Sequence, residues 1–224
     1  MPPGPEAMPQ TPTYSIIVLA AGRSTRMVSG NKLLAVLGGE PVVGRTIRAA
    51  AGSGVGEVIV VTGHEAAAVA EVAAIAEVAA GVDAAGEFRT RIVYHSSYDD
   101  GMASSLAEGI RSAEASNGYL ILPGDMPLVQ PETIRKVAGH FSSGRIVVPT
   151  FEGRRGHPVL FASTFRGDLL RLTGDAGARP VLERHAEFVS EIAVEDPGIL
   201  TDVETCEDLD RIASIIGGES PSGC

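Results

Sequence analysis

The 224-residue chain alternates between short apolar runs and longer amphipathic stretches. The short runs are rich in β-branched residues and nearly free of charge, which is typical of strands buried in a parallel sheet. The longer stretches place apolar residues at helical spacing. The pattern predicts strands at 15–19, 57–61, 91–94, 119–122 and 145–148. It predicts helices at about 41–52, 65–80, 103–115, 131–141, 165–172, 177–186 and 205–216.

This alternation predicts an α/β fold with a single domain over residues 13–216. Strands that alternate with helices form a mostly parallel, Rossmann-like sheet with helices on both faces, a three-layer αβα arrangement. The Pro-rich segment 1–12 and the Gly- and Ser-rich segment 217–224 are predicted to be disordered tails. In sheets of this kind ligands bind beyond the carboxyl ends of the strands.

Composition and charge exclude several classes of function. Hydrophobic residues make up 44% of the chain and Trp is absent, so the core is expected to be aliphatic. The formal net charge of −10 argues against nucleic acid or an anionic membrane as a partner. Because no apolar run approaches the roughly 20 residues of a membrane helix and no secretory signal pattern opens the chain, we expect a cytoplasmic protein.

The segment after the first strand carries the clearest chemical signal. It reads Leu19-Ala-Ala-Gly-Arg-Ser-Thr-Arg-Met27, followed by Asn31-Lys32-Leu33. Its small residues let a ligand approach the backbone closely. Backbone N–H groups together with three cations, Arg23, Arg26 and Lys32, can surround a triphosphate. The alternative is an ordinary turn between strand and helix, with solvated arginines.

Two aspartates follow apolar runs at distant points of the chain. Asp125 lies in the turn Pro123-Gly-Asp-Met-Pro127, and Asp202 follows Ile199-Leu-Thr201. Mg²⁺ is bound in proteins by one or two carboxylates together with water and phosphate oxygens. We therefore expect the two aspartates to be metal ligands, although an aspartate in such a turn is also a common cap. Thr205 is expected to be the N-cap of the last helix.

Three further polar segments could contact a substrate. Ser104 and Ser105 open a predicted helix and could bind a base, ribose or phosphate, although N-capping explains one of them. His157 follows the basic turn of residues 153–156, and Asp175 and Arg179 belong to a Gly-rich loop. Other nucleotide motifs are missing, because neither the dinucleotide pattern G-x-G-x-x-G nor the P-loop pattern G-x-x-x-x-G-K occurs.

The ordered series of these segments resembles the nucleotidyltransferase superfamily that includes the molybdenum cofactor cytidylyltransferases and the MobA-like NTP transferases. The resemblance covers about residues 14–216. It also includes Gly101-Met-Ala-Ser-Ser-Leu106 and Gly156-His-Pro-Val-Leu-Phe161, a pair that favours the cytidylyl branch. The chain departs from the superfamily at Val28, where a Gly is usual, and at Glu204 and Cys206.

The resemblance implies a nucleotide-diphospho-sugar-transferase type of fold and a Mg²⁺-dependent (or Mn²⁺-dependent) reaction. CMP would move from CTP to the terminal phosphate of molybdopterin, and pyrophosphate would be released. Arg26, Lys32 and Asp125 are implied to be catalytic, and Asp125 and Asp202 to hold the metal. Residues implied to bind the nucleotide are Leu19, Ala20, Ala21, Gly22, Arg23, Ser24, Lys32, Ser104, Ser105 and Gly124. The acceptor is expected to contact His157, Asp175 and Arg179.

The expected partners are small molecules, with a transient contact to a molybdoenzyme or its chaperone. Two alternatives stay open at this point. The first is a nucleotidyltransferase of the same fold that uses GTP, or an acceptor that is a sugar phosphate or an alcohol phosphate. The second is a carrier protein that binds a nucleotide or cofactor without catalysis.

Overall fold

The computed structural model describes residues 13–23, 30–81, 90–114 and 116–217. The predicted tail at 1–12 lies outside these residues, and so do positions 218–224 of the predicted tail 217–224 and positions 24–29 of the first loop, which include Ser24, Arg26 and Val28.

Ten strands and seven α-helices form within the described residues. The strands are β1 (Tyr14–Ala20), β2 (Val36–Leu37), β3 (Glu40–Pro41), β4 (Gly56–Thr62), β5 (Thr90–Tyr94), β6 (Gly118–Pro123), β7 (Ile146–Phe151), β8 (Arg154–Arg155), β9 (Val159–Ala162) and β10 (Val189–Ala193). The helices are α1 (Val42–Gly52), α2 (Ala66–Ala79), α3 (Met102–Ser112), α4 (Pro131–Gly139), α5 (Arg166–Leu169), α6 (Arg179–Arg184) and α7 (Cys206–Ile216).

All five strands and all seven helices predicted from the sequence are present, with ends that shift by a few residues. The largest difference is at α5, where Ser163–Phe165 forms a 3-10 turn and leaves only four α-helical residues. The sequence pattern missed β2, β3 and β8, which are two residues long and too short to show a period. It also missed β10, in which only Ile192 is buried. Strand β9 is not one of those five strands, but the apolar run that begins at His157 predicts it.

The main sheet is mostly parallel, as predicted. Its strand order is β10-β7-β9-β6-β1-β4-β5, with β8 paired to β7 at one side. Strand β1 lies in the centre and pairs in parallel with β4 and β6. Strand β9 is antiparallel to both of its neighbours, β6 and β7. The carboxyl ends of β1, β4 and β6 therefore meet at one edge of the sheet.

Helices cover both faces of this sheet and confirm the three-layer αβα arrangement. Residues of β1 alternate between the faces, because successive side chains on a strand point in opposite directions. Ile16 and Val18 pack with residues of α1, α2 and α4, whereas Ile17 packs with residues of α3, α5 and α6. As expected from the composition, these two clusters are largely aliphatic.

The last helix packs beside the short hairpin of β2 and β3. Leu37, Val203 and Leu209 are fully buried in a third, smaller cluster. Thr205 caps α7 as predicted: its hydroxyl accepts from the amide of Asp208, and the Asp208 carboxylate accepts from the amide of Thr205. Helix α7 therefore holds the segment that contains Asp202 against the body of the domain. In the part of the chain that the structure describes, no helix combines the length and the apolar character needed to cross a bilayer.

Gly109 provides a test of how closely α3 approaches the sheet. A Cβ atom at this position would lie 2.5 Å from Cγ2 of Ile17 and 3.0 Å from Cγ2 of Val61. We expect Gly109→Ala to lower the free energy of unfolding by about 1–3 kcal/mol, measured by urea denaturation, because the buried neighbours have to move. The control is Gly139→Ala at the exposed end of α4, where no atom lies within 4 Å and stability should be kept. Equal stability of the two variants would contradict the close packing of α3.

Candidate active site

The site begins where β1 and β6 end side by side. The amide of Gly124 donates to the carbonyl of Leu19 over 2.9 Å, which extends the pairing of the two strands by one residue. A Cβ atom on Gly124 would lie 2.8 Å from that carbonyl oxygen, so a glycine is required for this approach. The hydroxyl of Thr46, which is buried in α1, donates to the Gly124 carbonyl. These contacts fix the backbone immediately before Asp125.

Lys32 and Asp125 form an ion pair at this edge of the sheet. The Lys32 Nζ lies 2.6 Å from Oδ2 of Asp125, and the two side chains are only 19% and 18% exposed. The turn of Asn31 presents the lysine, because the Asn31 side chain accepts from the amide of Leu33. The other carboxylate oxygen of Asp125, Oδ1, is buried and has no hydrogen-bond partner among the described residues.

Asp202 is brought to the same place by a contact between backbones. The amide of Val203 donates to the carbonyl of Asp125 over 2.9 Å. The pKa of Asp202 is raised by desolvation and next by the negative charge of Asp125, and the charge of Lys32 opposes the shift. The two predicted metal ligands therefore lie close enough to influence each other electrostatically.

These residues fit a hard divalent cation. Such ions prefer oxygen ligands, and the pair supplies two carboxylates, one of which has a buried and unpaired oxygen. No group of three or more His, Cys, Asp or Glu residues suited to a metal forms within the described segments. Water and phosphate oxygens would thus fill the remaining coordination positions, which is the usual arrangement for Mg²⁺ bound with a nucleotide.

His157 lies on another wall of the site. Its amide donates to the carbonyl of Ile199 over 3.0 Å. A Cβ atom on the preceding Gly156 would overlap that same carbonyl group, so a glycine is needed there as well. Desolvation lowers the pKa of His157 despite opposing contributions from the Ile121 backbone and from the two aspartates. The imidazole is therefore uncharged at neutral pH and its Nδ1 has no hydrogen-bond partner among the described residues.

These walls enclose a cleft of about 530 Å³. The predicted site residues that line it are Gly22, Lys32, Asp125, His157 and Asp202. Nine further lining residues were not predicted as site residues, and among them are Met102 and the charged Arg154, Arg155 and Glu204. The signal for the two arginines was their position in the basic turn before His157. Arg155 pairs with Glu191 over 2.7 Å, whereas Arg154 is exposed and has no ion pair within the described segments.

Other predicted nucleotide contacts are placed beside the cleft rather than in its lining. Ala20 and Ala21 are buried at the end of β1, and Arg23 pairs with Asp99 over 2.7 Å. Ser105 is buried. Ser104 lies on the first turn of α3, and its hydroxyl is 2.9 Å from Nε2 of His95. The roles of these residues, and of Ser24 and Arg26 outside the described segments, stay predictions.

The Gly-rich loop that contains Asp175 docks on the start of α3. Oδ1 of Asp175 accepts from the amide of Met102 over 3.2 Å, and the amide of Ala103 donates to the carbonyl of Gly174. Arg179 is exposed and pairs with Glu183. Of the three predicted acceptor residues, His157 lines the cleft, whereas Asp175 and Arg179 do not.

The chain is similar to a known family and to several known proteins. Residues 16–188 match the MobA-like NTP transferase domain. The chain is 28% identical over 209 residues to nicotine blue oxidoreductase of Paenarthrobacter nicotinovorans. The aligned region spans 90% of this chain and 97% of that protein. It is 31% identical over 187 residues to the bifunctional protein GlmU of Kineococcus radiotolerans, across 81% of this chain. Only 34% of that GlmU is covered, so the chain spans about a third of its length.

The fold is also similar to that of solved structures. Rv0371c from Mycobacterium tuberculosis H37Rv superposes with a TM-score of 0.75 at 28% identity, over 92% of this chain and 100% of that one. A structure of the same protein in complex with manganese gives a TM-score of 0.69 at 29% identity, over 90% and 98% of the two chains.

The lowered pKa of His157 predicts a pH dependence of stability. Below pH 6.5 the unfolded chain binds a proton on this imidazole before the folded protein does, so stability falls as the pH falls. The loss is about 1.4 kcal/mol per pH unit until the pKa of the folded state is reached. Urea denaturation of His157→Gln between pH 7.5 and 5.5 should show a smaller slope, whereas the exposed His140→Gln should keep the parent slope. If the free energy of unfolding of His157→Gln depended on pH as steeply as that of the parent protein, the lowered pKa of His157 would be refuted.

Proposed function

The chain belongs to the family of MobA-like NTP transferase domains and is a nucleotidyltransferase, and we propose that it moves CMP from CTP to molybdopterin. The acceptor atom would be an oxygen of the terminal phosphate of the molybdenum cofactor, and the product would be a cytosine dinucleotide form of that cofactor. One observation carries the proposal: Lys32, Asp125 and Asp202 meet in one cleft at the carboxyl end of the sheet. This is where such sheets bind nucleotides.

Catalysis of this reaction requires that the two substrates be positioned and that the charge of their phosphates be neutralised. An acceptor phosphate oxygen forms a bond to the α-phosphorus, the bond between this phosphorus and the bridging oxygen breaks, and pyrophosphate leaves with that oxygen. Negative charge therefore develops next to groups that are already anionic. The Lys32 ammonium, held in place by Asp125, would stabilise this charge at a partly desolvated position where electrostatic effects are strong.

Asp125 and Asp202 would hold the divalent cation, Mg²⁺ or Mn²⁺. Such an ion, when bound, neutralises charge on phosphate oxygens and orients them. The unpaired Oδ1 of Asp125 and the raised pKa of Asp202 support this assignment. The manganese complex of the similar Rv0371c supports it independently.

The acceptor would lie along the wall of the cleft that contains His157 and Arg154. An uncharged imidazole can donate or accept a hydrogen bond without bringing a charge, and Arg154 can pair with a phosphate. The two family motifs Gly101–Leu106 and Gly156–Phe161 support the cytidylyl branch. The loop of Asp175 and Arg179, which docks beside Met102, would contact the distal part of the acceptor.

An oxidoreductase is the second candidate, because the similarity to nicotine blue oxidoreductase spans 97% of that protein. The sequence lacks the three-glycine pattern with which dinucleotides are usually bound. The two candidates differ in product: a transferase releases pyrophosphate, whereas an oxidoreductase changes the oxidation state of its substrate. Both products can be measured in the same assay mixture.

Nucleotide preference is tested by thermal melting with each of the four common triphosphates in the presence of Mg²⁺. Ligands that bind only the folded state raise the melting temperature, so CTP should give the largest increase. Asp125→Asn should remove the Mg²⁺-dependent part of this increase. Asp210→Asn, at an exposed position of α7, is the matched control and should keep it. A larger increase with another triphosphate would reassign the base, and no increase with any of them would reject the proposal.

Lys32→Ala tests the catalytic role of the ammonium group. Loss of one preorganised charge-stabilising donor lowers turnover by on the order of 10²-fold. The readout is pyrophosphate release with CTP, Mg²⁺ and molybdopterin, together with the oxidation of a reduced nicotinamide nucleotide in a parallel sample. Lys136, the other lysine of the chain, lies on the surface of α4, so Lys136→Ala should be fully active. Near-normal turnover in Lys32→Ala would remove this residue from the mechanism.

A further inference from the structure

A second cavity, of about 360 Å³, lies on another side of the domain. It is bordered by α1, by the segment 127–131 that leads into α4, by the turn at 196–198 and by the end of α7. It shares no lining residue with the cleft of Lys32 and Asp125 among the described residues. Its size falls in the range of about 300–1,000 Å³ that is typical of small-molecule sites.

Arg45 of α1 lines this cavity and has unfilled hydrogen-bonding capacity. A guanidinium group carries five N–H donors. Within the described residues its contacts are a weak hydrogen bond of 3.5 Å from Nη1 to the carbonyl of Leu37 and an ion pair of 3.9 Å with Glu40. Its Nε is buried without an acceptor. Desolvation lowers the pKa of Arg45, so the charge is only partly compensated by its surroundings.

The acidic groups near Arg45 are already engaged with other donors. Glu40 is held by Arg48, whose Nε and Nη2 lie 3.1 and 2.9 Å from the two carboxylate oxygens. Asp196, which is buried at the cavity wall, accepts from the amide of Gly198 at 2.8 Å, from the amide of Gln130 at 3.1 Å and from the hydroxyl of Thr133 at 2.7 Å. Both carboxylates are therefore committed to other donors within the described residues, and an acceptor on a bound ligand can pair with Arg45.

The rest of the cavity wall is largely apolar. It contains Leu128, Val129, Pro131, Ile215 and Ile216. Ile215 is 62% exposed, an unusual position for a large aliphatic side chain at the end of a surface helix. An apolar wall next to a guanidinium that has few hydrogen-bond acceptors among the described residues suits a molecule with one anionic end and a hydrocarbon body.

We propose that this cavity is a ligand site for a small organic acid, whose carboxylate pairs with Arg45 and whose apolar body packs against Leu128, Val129 and Ile215. The planar guanidinium matches the two oxygens of a carboxylate. A carboxylate is favoured over a phosphate because it brings one negative charge into a wall that already contains Asp196 and places it near Glu40, the ion-pair partner of Arg45. A phosphate dianion would bring two.

The test uses the full chain and 4-fluorobenzoate as the probe, observed by fluorine NMR. Binding should be saturable, and the uncharged 4-fluorobenzamide should bind at least tenfold more weakly. Inorganic phosphate should compete at least tenfold more weakly than unlabelled benzoate. Equal binding of the amide would overturn the role of the charge, and equal competition by phosphate would overturn the carboxylate assignment.

Arg45→Met keeps the length of the side chain and removes its charge, and it should weaken probe binding at least tenfold. Arg111→Met on the exposed surface of α3 is the control and should bind like the parent protein. Ile215→Asp provides a second test, and its folding should be little affected because Ile215 is exposed. A negative charge at the rim of the cavity should weaken binding of 4-fluorobenzoate severalfold relative to Ile215→Asn.

The location of the probe is tested separately from the proposed enzymatic function. Asp125→Asn alters the catalytic cleft and leaves the second cavity untouched, so the affinity for 4-fluorobenzoate should be unchanged in this variant. Loss of binding in Asp125→Asn would place the probe in the cleft and overturn the proposal. Absence of saturable binding to the parent protein, or full affinity in both Arg45→Met and Ile215→Asp, would overturn it as well.

Discussion

The arrangement of the candidate active site depends on one hydrogen bond, from the amide of Val203 to the carbonyl of Asp125. It joins two segments that are more than seventy residues apart and sets their carboxylates side by side. Both ends of the bond are anchored. Gly124 is hydrogen-bonded to Leu19 near the end of strand β1, and the side chain of Val203 is completely buried in the cluster beneath α7. The distance between the two acidic groups is thus decided by packing outside the cleft.

This arrangement has an electrostatic cost that explains the composition of the cleft. Two carboxylates next to each other repel, and the pKa of Asp202 is raised first by desolvation and then by this repulsion from Asp125. Lys32 offsets one of the two charges through its contact with Asp125. The remaining negative charge favours a cation over an anion at this point, although phosphates are the proposed substrates. In the proposed function, a divalent ion and Lys32 together would reconcile the acidic site with an anionic nucleotide.

Much of this fold could be predicted from the sequence because its central strands are short, β-branched and buried on both faces. The position of Asp125 at the edge of the sheet could also be predicted, since a charged residue directly after such a buried strand must lie at its end. The cleft residues that were not predicted are brought there by tertiary contacts. Arg154 reaches it through the pairing of β7 with β8, and Met102 through the docking of the loop of Asp175. These are contacts between distant segments, and no local periodicity encodes them.

The similarity to both a transferase family and an oxidoreductase shows that this fold alone does not determine the chemistry. What distinguishes the two is the content of the cleft. Hydride or electron transfer requires a bound redox group but no pair of carboxylates with an adjacent ammonium. Nucleotidyl transfer requires charge stabilisation around phosphates, and in the proposed function Lys32, Asp125 and Asp202 would supply the groups for it. The cost of holding two acidic side chains together is explained by phosphate chemistry and has no evident purpose in redox chemistry, which is why the site favours the transferase.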